Sequence, residues 1–216
     1  GGLQRFFVRA ETAANFGREI GLMYTHATIR YAEAMARLGK SERAFWALEA
    51  VNPVSIRATV PNALPRQSNA YFSSSDGDFP DRAEAERRFG DLRSGLVGVK
   101  GGWRIYSSGP GIYIKTLLSD LLGLRRRYDD LIVDPVLPKE LDGLEVDFAL
   151  GGKPLDLRYQ VAERGFAPFR IRLNGEDLDF ERLEDNPYRQ GGARLDWADF
   201  VGKLADSGND LEIFLG

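Results

Sequence analysis

The sequence predicts an α+β fold, with helices first and a β domain after them. Three observations carry this. Apolar residues recur at spacings of three and four in the first third of the chain. They alternate, or sit beside turn dipeptides, after Arg127. Asn174-Gly175, a strong hairpin signal, falls inside that second region.

Taken in order, Tyr24, Ala27, Tyr31, Ala34, Met35 and Leu38 predict one apolar face of a helix over about Leu22 to Leu38, ended by Gly39. Ser41 can cap a second helix, with Ala44, Phe45, Leu48 and Val51 on one side and Asn52-Pro53 at its end. The short link makes the two an antiparallel hairpin. From about Val54 to Lys100 no period is clear. Pro53, Pro61, Pro65 and Pro80 punctuate the region, and "NAYFSSSDGDFPDR" reads as a long functional loop rather than plain disorder, because Tyr71, Phe72 and Phe79 sit in or beside it. Trp103 to Tyr106 reads as a strand broken by Gly109-Pro110-Gly111. A helix bearing Ile112, Leu117, Leu118, Leu121 and Leu122 follows and stops near Gly123. "LIVDPVLP", "LEVDFALGG", "PLDLRYQV" and "FRIRLNGEDLDFERL" are the β segments, with a short helix around Trp197 to Leu204 and a strand "LEIFL" after them. The expected division is residues 1–128 and 129–216.

The 216 residues carry 43% hydrophobic and 28% charged side chains, an ordinary globular balance. A net charge of −3 argues against a general nucleic-acid or anionic-membrane role, while leaving room for a local anion pocket. Without cysteine there are no disulfides or thiolate sites, and a single histidine argues against zinc. No apolar run approaches the ~20 residues of a membrane span, and no signal peptide is readable. A cytoplasmic location is the expectation.

The single histidine, His26, falls in the first turn of the first predicted helix, near unpaired backbone N–H groups and the positive end of the helix dipole. That is an anion site, with Arg30 one turn on along the same face. The other reading is a partly buried histidine beside a solvated Arg30/Glu33/Arg37 stripe. Ser107-Ser108-Gly109-Pro110-Gly111 offers the same choice, a second anion cradle or an ordinary helix cap with loop glycines. No Gly-Lys-Ser/Thr follows it, so it is not a nucleotide phosphate loop. Glu19 is either a sugar-binding carboxylate or a loop charge. Arg66-Gln67-Ser68-Asn69 offers planar hydrogen-bonding groups for sugar hydroxyls or a carboxylate, or is simply a polar loop.

Glu19, "YTHA" at 24–27, "GGWRIYSSGPG" at 101–111, "LGLR" at 122–125 and "DPVLP" at 134–138 occur in the order found in one family. The chain resembles the C-terminal part of the glycoside phosphorylases of glycoside hydrolase family 94. The resemblance implies the last helices of a catalytic (α/α)6 barrel over residues 1–128, then a C-terminal β-sandwich-like domain. It implies inverting cleavage of a β-glucoside by inorganic phosphate, giving glucose 1-phosphate, with phosphate as co-substrate and no cofactor or metal.

By the same resemblance His26 and Ser107, with Ser108, bind phosphate, and Glu19 binds sugar hydroxyls at the scissile bond. No counterpart of the family's general-acid aspartate is found here, so it is expected upstream. The chain alone is then expected to be inactive and to need the remaining N-terminal part of the enzyme. A homodimer is compatible with this, and no nucleic acid or membrane partner is expected. Glu19-Ile20-Gly21 stands where the family has Glu-Asn-Gly. The loop segments look most like the cellobionic acid phosphorylase branch, in which Arg30, Arg66 and Gln67 are the candidates for holding substrate. Two alternatives stay open: a β-1,2-oligoglucan phosphorylase or the phosphorylase-like region of a cyclic β-1,2-glucan synthase, and a non-catalytic glycan-binding or assembly module.

Overall fold

The computed structural model describes residues 25–52, 58, 61, 63–64, 76–100 and 109–216. Helix α1 covers Thr25–Arg37 and α2 covers Ser41–Glu49. Short strands β1 (Ala63–Leu64) and β2 (Asp76–Gly77) follow, then helices α3 (Arg82–Arg88) and α4 (Gly90–Arg93) and strand β3 (Val99–Lys100). Helix α5 (Pro110–Thr116) runs on into a π-helical turn, Leu117–Leu121. The β region comprises β4 (Leu124–Arg127), β5 (Asp130–Val133), β6 (Glu145–Leu150), β7 (Lys153–Val161), β8 (Pro168–Leu173), β9 (Glu176–Asp177), β10 (Glu181–Arg182) and β11 (Ala193–Asp196). Helix α6 (Trp197–Gly202) and strand β12 (Asn209–Leu215) complete it. Most helices precede the two larger sheets, which is consistent with an α+β fold.

The chain divides into two compact units, one of residues 1–31 and 46–114, the other of residues 32–45 and 115–216. In the first, β3 lies between β1, to which it is parallel, and β2, to which it is antiparallel. Asp81 caps α3, accepting from the Glu84 amide at 2.8 Å, and Ala85 is buried. Ile29, Leu48, Val51 and Val97 are the larger buried apolar side chains there.

The second unit holds two sheets. Strands β10, β11, β5 and β4 form an antiparallel set in that spatial order. Strands β6, β7, β12, β8 and β9 form the other, with β12 parallel to β7 and antiparallel to β8. Period two decides which side chains enter the core. Along β7, Leu155, Leu157, Tyr159 and Val161 are buried, while Pro154, Asp156, Arg158 and Gln160 face out. Strand β12 buries Leu211, Ile213 and Leu215 in the same way.

The outward side of the five-stranded sheet is written in charge. Glu145, Arg158, Glu212, Arg172 and Asp177 stand opposite one another from strand to strand, alternating in sign across all five. Arg158 meets Glu145 at 2.9 Å and Arg172 meets Glu212 at 3.1 Å. Each exposed pair is worth little alone, but like charges at these positions would oppose pairing.

The apolar face expected on α1 differs from the buried one. Ile29, Ala32 and Ala36 are buried, whereas Ala27, Tyr31, Ala34 and Leu38 are exposed. Both faces are apolar enough to fit a helical period, so spacing could not choose between them. The helix closes at Gly39 as expected. The Lys40 amide donates to Met35 O and the Gly39 amide to Ala36 O, a Schellman ending.

Candidate functional site

His26 is the second residue of α1, half-buried, in a first turn that carries no acidic side chain. Arg30 is exposed one turn further on. The two therefore share a helix face at the start of α1, where an anion is favoured by the helix dipole. Glu19, Arg66, Gln67, Ser107 and Ser108 lie outside the described residues, as do the proposed strand from Trp103 and the aromatic loop residues Tyr71 and Phe72. Directly after Ser108, Gly109 O accepts from the Tyr113 amide at 3.1 Å, and Pro110 occupies the first position of α5. A helix therefore does begin where the two serines end. Burial first, and then the nearby Glu49 charge, raise the Tyr113 hydroxyl above its ordinary value.

The second unit contains a chain of alternating charges that sequence reasoning missed. Lys115 donates to Glu33 on α1 at 2.9 Å and to Asp120 at 2.8 Å. Arg125 lies 4.0 Å from Asp120 and 3.6 Å from Asp134. Arg189 then donates to both oxygens of Asp134, at 2.8 and 3.0 Å. Burial raises the Asp120 carboxyl, against the opposing pull of Lys115. Burial also works against the Lys115 charge, but its hydrogen bonds to Asp120 and Glu33 win and raise it. The two partners move in the same direction because burial dominates at one and hydrogen bonding at the other.

Arg189 does a second thing. Its Nε donates to Ala36 O at 3.0 Å, and Asn186 Nδ2 donates to Arg37 O at 2.9 Å. A cation and an amide thus satisfy carbonyls in the last turn of α1, where the helix dipole is negative. The Arg189 guanidinium also stacks over Phe166 at 5.5 Å.

Two of the quoted motifs meet here. The Asp134 amide donates to Gly123 O at 2.8 Å and the Val136 amide to Leu121 O at 3.0 Å. Gly123 has φ 72°, and a Cβ there would collide with the backbone of Asp134 and Pro135. "LGLR" and "DPVLP" are therefore two backbones in close contact, with Arg125 and Asp134 facing each other across them. Their roles are structural. Arg125 and Asp134 could have been paired from the motifs alone. Arg189, in the aperiodic run "EDNPYRQGG", gave no signal.

No helix among the described residues is long and apolar enough to cross a membrane.

Residues 123–214 match the family described as glycoside phosphorylase C-terminal domain. The match starts at the glycine that packs against Pro135 and ends within β12. Over 195 residues, 90% of the chain, it is 52% identical to the 1,2-beta-oligoglucan phosphorylase of Listeria innocua, of which the match spans 17%. It is also 28% identical over 135 residues, 62% of the chain, to the cyclic beta-(1,2)-glucan synthase NdvB of Rhizobium meliloti, of which the match spans 4%. Together these are a likeness to the C-terminal part of a glycoside phosphorylase, and the chain spans less than a fifth of the length of either relative. They favour the β-1,2-glucan alternative over the cellobionic acid reading.

Proposed function

We propose that the chain is the C-terminal part of an inverting phosphorylase that cleaves β-1,2-linked glucans with inorganic phosphate, releasing glucose 1-phosphate. The observation that carries this is the 52% identity over 90% of the chain to a 1,2-beta-oligoglucan phosphorylase. In this reading residues 1–128 contribute the last helices of the (α/α)6 barrel, and the whole acts in the cytoplasm.

His26 and the hydroxyls of Ser107 and Ser108 bind phosphate, with the α1 dipole adding to the attraction. Phosphate attacks the anomeric carbon directly, so no general base is needed to activate a water. Glu19 accepts from sugar hydroxyls, and Arg66 and Gln67 bind the substrate as planar donors. A β-1,2-glucan carries no carboxylate, so Arg30 serves the phosphate rather than an acidic sugar. The proton for the departing oxygen comes from a carboxylic acid elsewhere in the polypeptide. A positioned acid contributes ~10²–10⁴-fold, so residues 1–216 alone yield no product.

The test is phosphorolysis by the intact polypeptide of β-1,2-glucooligosaccharides, cellobiose and cellobionate, reading glucose 1-phosphate. Product from the β-1,2 substrates above the others supports the proposal. Preferred cleavage of cellobionate overturns it. The synthase relative favours a second reading, a region of a cyclic β-1,2-glucan synthase. Formation of cyclic glucan by the intact polypeptide would decide for that one.

A further inference from the structure

The hairpin joining β4 to β5 turns through only two residues, Tyr128 and Asp129, since Arg127 already pairs with Asp130. Tyr128 has φ 55°, in the left-handed region where a tight hairpin ordinarily places glycine or asparagine. It is also 88% exposed, the highest value among the large apolar and aromatic side chains described. A bulky residue thus sits in a conformation that disfavours it, without burial in return. Strain of this kind concentrates where a side chain is needed for something other than folding.

The neighbours point to a ligand. Arg126 donates its Nε to Tyr128 O at 3.0 Å, and its guanidinium lies over the Trp197 ring at 4.6 Å. The Trp197 amide donates to Asp129 O at 2.8 Å, which fixes the start of α6 against the turn. Among the described residues Arg126 faces no carboxylate. Arg127, by contrast, pairs with Asp185 and Arg194 with Glu181. The spot therefore presents a flat phenol and a guanidinium lying over an indole, with the Tyr128 hydroxyl and the Arg126 terminal nitrogens as donors. Flat rings flanked by fixed donors suit the C–H faces and hydroxyls of a sugar. The sequence around the spot is acidic, with Asp129, Asp130, Asp196 and Asp199 on the adjoining turn, strand and helix start, and Asp130 stands opposite Asp196 in the sheet. That charge disfavours an anionic ligand and leaves a neutral polyhydroxylated one.

We propose that Tyr128, Arg126 and Trp197 form a surface site for a neutral glucan chain. The choice of a β-1,2-glucan as its ligand rests on the function proposed above. The site would hold a long substrate to the protein through the β domain.

The experiment uses the intact polypeptide and isothermal titration with a long linear β-1,2-glucan, comparing wild type with Tyr128→Gly, Arg126→Ala and, as an unrelated exposed tyrosine, Tyr188→Ala. Thermal unfolding of each is recorded alongside. The site predicts about tenfold weaker glucan binding for Tyr128→Gly and Arg126→Ala, with Tyr188→Ala unaffected. It also predicts a higher melting temperature for Tyr128→Gly, because glycine relieves the left-handed strain. Unchanged glucan binding overturns the proposal. So does a lower melting temperature for Tyr128→Gly, which would mean that the rest of the polypeptide covers the ring. Loss of binding in the variants of a protein that phosphorolyses no glucan supports the site and removes the functional reading. Wild-type binding by the variants of an active phosphorylase removes the site alone.

Discussion

Arg189 holds Asp134 through two hydrogen bonds, with side-chain exposures of only 5% and 9%. The pair joins the "DPVLP" segment to the last turn of α1, because the same guanidinium also reaches Ala36 O. Two charges withdrawn from water this far depend on each other. Removing Arg189 leaves Asp134 buried with only the more distant Arg125, at 3.6 Å, to balance it.

Arg189→Ala should therefore destabilise the protein by at most about 3–5 kcal/mol, the cost of a fully uncompensated buried charge, since Arg125 remains beside Asp134. Arg189→Lys should recover only part of this, since an ammonium cannot span both carboxylate oxygens and Ala36 O in one plane. Urea unfolding of the two variants measures the difference. Equal stability of Arg189→Ala and wild type would refute the role.

The Tyr159 hydroxyl donates to Leu122 O at 2.8 Å from a side chain with no exposed surface. Tyr159→Phe leaves that carbonyl without its donor and should cost about 1–3 kcal/mol. Burial also pushes the Tyr159 hydroxyl well above its ordinary value of 10.0. The folded state thus keeps a proton that the unfolded chain gives up near that pH. The resulting stabilisation is complete below it and is lost as pH rises above it. The gap in melting temperature between wild type and Tyr159→Phe should narrow on the alkaline side, and a constant gap would contradict this.

Gly123→Ala should be far more damaging than Gly202→Ala. A Cβ at Gly123 runs into the backbone of Pro135, whereas at Gly202 it meets nothing within 4 Å. Backbone cannot rotate out of the way as a side chain can. Thermal melts of the two variants compare them directly, and equal melting temperatures would sink the close-contact account.

His26→Ala in the intact polypeptide should raise the KM for phosphate by about ten- to a hundredfold, the worth of one hydrogen bond to a charged group, while glucan binding changes little. Ser107→Ala should behave similarly and Ser107→Thr mildly, because only the hydroxyl is shared. Initial rates at varied phosphate decide it. An unchanged phosphate KM in His26→Ala removes the histidine from the site.

Much of this fold was legible because its signals are local. The alternation along Leu155, Leu157, Tyr159 and Val161 is a strand whatever surrounds it. Asn174 and Gly175 both adopt positive φ, 51° and 85°, in the turn that their identities announce. Tyr128 takes a left-handed turn position that its identity argues against, so the sequence announces β5 in "LIVDPVLP" but neither the turn nor β4 before it. The buried face of α1 was misread because two apolar faces compete along it. Arg189 lies 55 residues from Asp134 with no period between them, and only the folded chain brings them together. For the site, the shared helix face of His26 and Arg30 followed from their spacing. For Glu19, Arg66, Gln67, Ser107 and Ser108 the residue types leave a functional and a bland reading open, the resemblance chooses between them, and all five lie outside the described residues.

The position of β12 sets a condition on synthesis. It lies inside its sheet, between β7 and β8, although both precede it by many residues. As the polypeptide emerges from a ribosome, β7 and β8 each wait with an open edge until residues 209–215 arrive. Only then can the five strands close together, β7 gaining its parallel neighbour last. A chain halted before Asn209 would present two unsatisfied strand edges at once, an aggregation hazard rather than a smaller version of the domain.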